Sequence, residues 1–242
     1  MKKTLSLSLF FFCLFSWLAA PAISESADDV LNKMIDALGG RKALEGIEDA
    51  TMTGTMELTQ MGLSATVTSY RKNPNKTRMD IEVMGMVITQ AFDGQTAWMV
   101  NPQTGSSEEL PEQFAEYSKR DSLGDAAYLD PKKYGITYTL KEKESIEGKE
   151  YLVLEQAFAD GYIATLYVDP KTYLVYKSKG TALNQMQVEV EQETVQMDYK
   201  KINGMMVPHT VTIFQDGEEF GVMTIAEVKY NSGLEDSFFE MQ

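Results

Sequence analysis

The chain has 242 residues, with 36 acidic against 22 basic side chains and a formal net charge of -14. That excess repels phosphate backbones and anionic lipid headgroups, which argues against a nucleic-acid partner. One cysteine, Cys13, and one histidine, His209, supply neither a thiolate metal site nor a multi-histidine zinc site, so no metal and no cofactor is expected.

Lys2 and Lys3 precede the apolar run Leu5 to Leu18, and Ala20-Pro21-Ala22 has the small-residue pattern of a cleavage site. Residues 1–22 therefore read as a secretory signal peptide, cut between positions 22 and 26, so that the mature protein is expected to be exported. The run is shorter than the ~20 residues of a spanning helix. Cys13 lies inside it, so the mature chain holds no disulfide and relies on its core. A single β domain of ~200–250 residues is ordinary, and one domain is expected over 27–242.

Ser26 or Asp28 is placed to cap a helix over about 29–38, with Gly39-Gly40 ending it. Val30, Leu31, Met34, Ile35 and Leu38 form its apolar stripe. Strand patterning follows. Met52, Met56 and Leu58 alternate with threonines and Glu57; after Met61-Gly62, Leu63, Ala65 and Val67 alternate with Ser64, Thr66 and Thr68. Asn73-Pro74-Asn75 is a turn. Met79, Ile81 and Val83 then oppose Arg78, Asp80 and Glu82, Gly85 breaks the run, and Met86, Ile88 and Phe92 lead into Asp93-Gly94, a strong hairpin signal. The second arm carries Trp98 and stops at Pro102. A two-residue Asp-Gly loop pairs Ile88 with Met99 and turns Trp98 to the opposite face; a three-residue bulged loop reverses this.

Residues 105–134 are polar and acidic, with a helix expected from Pro111 to Lys119 and a mobile loop from Asp121 to Pro131. Strands resume over 136–140, 151–158, 162–168, 173–179, 185–199, 207–214 and 220–230, separated by Gly148, Asp160-Gly161, Asp169-Pro170, Asn203-Gly204 and Asp216-Gly217. The fold class is mainly β (α+β): on the order of ten antiparallel strands, more than a flat sheet carries, curling into a barrel or partial barrel.

The segments D-V-L-N-K-M-I-D-A-L-G-G-R-K-A-L (29–44), Q-A-F-D-G-Q-T-A-W-M-V-N-P (90–102), Y-V-D-P-K-T-Y-L-V-Y-K (167–177), Y-K-K-I-N-G-M-M-V-P-H (199–209) and L-E-D-S-F-F-E-M (234–241) occur in order. Together they resemble the outer-membrane lipoprotein-sorting protein-like family, relatives of the periplasmic carrier LolA. The resemblance implies a strongly curved antiparallel sheet, an unclosed barrel whose concave apolar face is covered by helices. It also implies binding of a lipid or lipoprotein acyl chain there, with membrane-bound donor and acceptor proteins as partners. Carriers of this kind use an arginine near the mouth, for which Arg41, Arg71 and Arg78 are the candidates.

The candidate ligand-binding residues are Met52, Met56, Leu58, Val67, Met79, Ile81, Met86, Ile88, Phe92 and Trp98. Methionine side chains repack around ligands of varied shape, and a deformable apolar cavity beneath the N-terminal helix and the 105–134 insert is expected. His209 reads as structural, since no G-x-S-x-G accompanies it. Asp80 with Glu82 and Glu189 with Glu191 read as solvated strand faces rather than a glycosidase pair. No catalytic constellation is present, so a monomeric, non-enzymatic carrier is expected. The alternative is an envelope sensor or interaction module that uses the same sheet to bind a protein or polymer.

Overall fold

The computed structural model describes residues 25–184 and 188–241, so the expected signal peptide lies outside the described residues. Two helices, α1 (Ala27–Leu38) and α2 (Arg41–Glu45), precede β1 (Asp49–Leu58), β2 (Leu63–Lys72), β3 (Lys76–Val83), β4 (Met86–Phe92), β5 (Ala97–Val100) and β6 (Ser107–Glu109). The insert folds as α3 (Glu112–Asp121), α4 (Ala126–Leu129) and a single 3-10 turn (Pro131–Tyr134). Then come β7 (Thr137–Leu140), β8 (Glu144–Ile146), β9 (Lys149–Ala157), β10 (Ile163–Val168), β11 (Val175–Leu183) and β12 (Glu189–Met197). A two-stranded ribbon of β13 (Lys200–Ile202) and β14 (Met205–Val207) leads to β15 (Thr210–Gln215) and β16 (Glu218–Tyr230).

Ser26 starts α1 with a capping box: its hydroxyl accepts from the Asp29 amide at 3.1 Å, and Asp29 accepts from the Ser26 amide at 3.0 Å. The apolar stripe read from the sequence is the buried one, Val30, Leu31, Met34 and Ile35. Gly39, at φ +139°, ends the helix in a conformation that glycine adopts without strain.

The strands form one antiparallel sheet in the order β6-β5-β4-β3-β2-β1-β16-β15-β12-β11-β10-β9-β7, with β8 pairing β9. The two end strands, β6 and β7, do not pair with each other, so the barrel is unclosed. Its curvature follows from α3, which touches β4 and β5 on one wing and β11 on the other. A bulge at Thr53/Gly54 assists the bend: a Cβ at Gly54 would collide with the Thr224 carbonyl, so the two central strands meet closely only at a glycine.

Several sequence expectations change in detail. The 121–131 segment is not a loop without structure. It carries α4, and Leu123 and Ala127 are buried against Ile136. The run expected over 207–214 splits at Pro208 and His209 into β14 and β15, because proline has no amide to continue a ladder. The run expected over 185–199 is ordered as strand from Glu189; residues 185–187 lie outside the described residues. The N-terminal helix does not cover the methionine-bearing strands. Val30 and Met34 pack on Leu152, Leu154, Leu166, Val168 and Val175 of β9 to β11, while Leu31 and Ile35 meet Leu44 and Met205. A helical stripe announces that something apolar is covered, but not which wing of a sheet covers it.

Candidate ligand-binding groove

Register decides which side chains share the inner face. Three antiparallel rungs run across β2, β3 and β4: Val67–Ile81–Ile88, Ser69–Met79–Gln90, and Arg71–Thr77–Phe92. On β1, Met56 pairs Ala65, Leu58 pairs Leu63 and Met52 pairs Ser69, while Met56 faces Met223 of β16. Met86 pairs Val83 at the far end of the same face. The expected residues on β1 to β4 therefore stand on one side of one sheet. Val67 and Phe92 are buried; Met52, Met56, Leu58, Met79, Ile81 and Ile88 are only half-buried; and Met86 is 52 % exposed.

Trp98 does not join them. The Asp93 amide donates to the Thr96 carbonyl and the Asp93 carboxylate accepts from the Gln95 and Thr96 amides. The loop residues are thus Gly94 and Gln95, and Trp98 pairs with Ala91 on the outer face. There it is fully buried, and its indole N–H donates to the Phe239 carbonyl at 2.8 Å. The C-terminal segment crosses this outer face. Phe238 packs edge-on against Tyr70 with 4.8 Å between ring centres, and the Arg78 guanidinium lies 4.3 Å from the Phe238 ring centre. Asp236 pairs with Lys72 and Lys76.

The half of the inner face over β9 to β11 is filled by α1, and α3 lies across the remaining opening. None of the α3 side chains is fully buried. The helix is held by Tyr117, which lies beside Gln192 of β12, and by Arg120. Arg120 pairs with Asp160 at 2.6 Å and lies 4.4 Å from the Tyr162 ring centre. The buried Arg120 Nε has no hydrogen-bond partner among the described residues. Among the cavities that flank α3, one of about 410 Å³ lies against Glu116, Lys119, Arg120, Leu123 and Phe158. One of about 220 Å³ is bounded by Tyr117, Tyr128, Gln156, Ser178 and Gln196. Another, of about 190 Å³, lies against Ser69, Arg71, Met79, Gln90, Phe114 and Tyr117. At one end of the strands, Met61 in the β1–β2 turn, Met84 in the β3–β4 turn and Val188 just before β12 are exposed.

The interior is more polar than the sequence announced. Tyr138 accepts from Gln156 at 2.7 Å and donates to the Ala127 carbonyl at 3.2 Å. Tyr199 donates to the Val175 carbonyl at 2.7 Å. Burial pushes the phenols of Tyr128 and Tyr230 up to about 12 and raises those of Tyr117, Tyr138 and Tyr199 as well. Burial also raises the Asp125 carboxyl, against the pull of Arg71. Of the candidate arginines, Arg78 is on the outer face and Arg41 donates to the Leu129 carbonyl at 2.9 Å from an exposed position on α2. Only Arg71 points inward. The sequence named it as one of three candidates without separating them, because a charged residue ending an apolar alternation also reads as the strand leaving the core.

His209 is buried, its Nδ1 3.1 Å from the Val207 carbonyl and its backbone carbonyl accepting from the Ile225 amide, which ties the ribbon to β16. Asp80 accepts from Arg78 and Thr89, and Glu191 pairs with Lys179, while Glu82 and Glu189 are exposed. Among the described residues no helix is long and apolar enough to cross a membrane.

No protein-family model matches the chain, and neither does any curated protein. Solved structures do. A LolA superfamily protein from Nitrosomonas europaea matches with TM-score 0.60 at 15 % identity, over 89 % of this chain and 97 % of that one. A DUF1329 family protein from Desulfovibrio piger matches with TM-score 0.58 at 16 % identity, over 89 % and 99 %. An outer membrane lipoprotein-sorting protein domain from Vibrio parahaemolyticus matches with TM-score 0.56 at 15 % identity, over 87 % and 97 %. At these identities the likeness is one of fold, and it spans nearly the whole length of each partner.

Proposed function

From a fold shared with the LolA superfamily, we propose that this chain is a periplasmic, non-enzymatic carrier that shields a lipid or lipoprotein acyl chain on the inner face of its sheet. One observation carries the reading. The inner face of β1 to β4 presents Met56, Leu58, Met79, Ile81 and Ile88 half-buried, with a loosely seated helix against β4 and β5 at one end of that face, although residues so apolar are normally buried outright. Each methylene of an acyl chain laid there contributes ~0.8 kcal/mol, and the thioethers adapt to its shape. The acidic exterior keeps a loaded carrier soluble. Membrane-bound donor and acceptor proteins fit the exposed end of the strands at Met61 and Met84, through which such a ligand enters and leaves.

The test is native mass spectrometry of the mature protein purified gently from its own compartment, followed by solvent extraction. A heterogeneous adduct of lipid mass supports the carrier and names its cargo. In a reconstituted assay with a fluorescent fatty acid, Met56→Asp and Ile81→Asp, each with an unchanged fold by circular dichroism, are expected to weaken binding at least tenfold, since a buried charge has no partner there. Unchanged binding in both would refute a ligand on this face. An apo mass together with no uptake of added lipid would favour the interaction-module reading.

A further inference from the structure

Arg71 is an inward-facing cation of the groove, and its nearby electrostatic partner among the described residues, the buried Asp125, is not in ion-pair contact with it. It makes no ion pair and no side-chain hydrogen bond with any described residue, yet it lies half-buried where β2, α3 and α4 converge. The turn between the two helices is shaped around it: Gly124 sits at φ +47°, and a Cβ there would collide with the Arg71 guanidinium. A guanidinium carries five donors, and those of Arg71 find no acceptor among the described side chains.

The groups that face it do not replace a partner. Asp49 lines the smaller cavity on one side of Arg71, but its carboxylate is already taken by three backbone amides. Asp125 lines the same cavity outside ion-pair distance, and its burial favours the neutral acid. Asp121 lies across the larger cavity and is exposed. The other polar groups around that cavity are Ser69, Thr77, Gln90, Tyr117 and Ser118, together with Arg78, whose guanidinium is already paired with Asp80 on the outer face.

From Arg71 the inner face runs from polar to apolar. The rung after Arg71–Thr77 is Ser69–Met79–Gln90, the next is Val67–Ile81–Ile88, and Ala65 and Met56 lie beyond. Six residues of strand from Arg71 to Ala65 span roughly 20 Å, the reach of a long extended acyl chain. The enclosed space beside Arg71, about 190 Å³, holds a head group but not such a tail.

Resting on the carrier reading above, we infer that the groove is built for a single-chain amphiphile with a carboxylate head, the carboxylate held in bidentate fashion by Arg71 and the tail laid along Met79, Ile81 and Ile88. Gln90 and Tyr117 complete the head-group site as neutral donors. A planar carboxylate matches the guanidinium fork.

The experiment compares palmitate with hexadecanol, which has the same tail and a neutral head, by isothermal titration at pH 8 and low salt. The full mature chain, Arg71→Met and Arg71→Lys are measured, with folding checked by thermal melting. Wild type is expected to prefer palmitate by about tenfold or more, the worth of a charge-assisted pair. Arg71→Met is expected to lose that preference while holding hexadecanol as tightly as wild type, and Arg71→Lys to keep part of it. Equal wild-type affinities, or a preference that persists in Arg71→Met, would overturn the Arg71 site and leave the carrier standing. Wild type that binds neither compound would overturn both. The wild-type ratio needs no variant, so it decides the matter even where Arg71→Met does not fold.

Discussion

At Asp49 one buried carboxylate accepts the amides of Ser232, Gly233 and Leu234 at 2.7, 2.8 and 3.1 Å, and the Asp49 carbonyl accepts from Asn231 at 2.8 Å. A charged acceptor holding several backbone donors is among the stronger local interactions. Asp49→Ala strands those donors and is expected to cost about 3 kcal/mol, read as a lowered urea midpoint with unchanged slope. A midpoint within experimental error of wild type would show the three amides to be satisfied by water. Nothing in the sequence marked Asp49, because its partners are 183 to 185 residues away. The inward methionines and isoleucines were legible, since period-two alternation assigns each to a face without knowledge of distant partners. Trp98 was not, because its face depends on whether two or three residues make the loop beside it. Arg71 could not be told from Arg41 and Arg78, and the interior tyrosines were not legible either, because a polar side chain at an inward position is indistinguishable by pattern from a strand end.

Among the elements, α1 and α3 make a contrast that sequence periodicity alone conceals. Both are amphipathic, but α1 buries four side chains and α3 buries none. In hydrogen exchange, α3 is therefore expected to lose protection well before α1, and Arg120→Ala, which removes the Asp160 pair, should accelerate α3 without altering α1. Equal protection of the two helices would contradict a loosely seated α3. The C-terminal segment is the second such element. Trp98 is the sole tryptophan among the described residues and is covered by Phe239. Ending the chain at Gly233 is expected to red-shift and weaken its emission and to lower stability by about 2 to 4 kcal/mol, the usual loss for a stripped aromatic contact; an unshifted spectrum would place the indole elsewhere. Most strands were legible from turn residues and alternation. The short ones, β6, β8, β13 and β14, were not, since three residues carry too little pattern to separate a strand from a loop.

For the whole molecule, charge and burial set the response to pH. Hydrogen bonds from Ser26 hold Asp29 below the usual carboxylate range, and Lys72 followed by Lys76 does the same for Asp236. Depressed carboxyls contribute stability that is present above the unfolded value near ~3.9 and is lost as pH falls through their folded values. The buried phenols act at the other end. Those of Tyr128 and Tyr230, raised to about 12, favour the fold fully below the unfolded value near ~10 and lose that contribution as pH rises towards their folded values. Between these limits the net charge of -14 repels itself less as pH falls towards the carboxylate range. The melting temperature is expected to be highest at mildly acidic pH, with added salt narrowing its difference from pH 8; a maximum in the alkaline range would refute this. The sheet order carries one more consequence. The wing from β2 to β6 and the wing from β7 to β15 are joined through the pairing of β1 with β16, the first strand with the last. A polypeptide emerging vectorially, N-terminus first, leaves β1 as a long bare edge until nearly its final residues appear. The molecule is therefore zipped shut by its latest-made strand, and a product stopped short of β16 would present two unpaired edges to proteases and to its own copies.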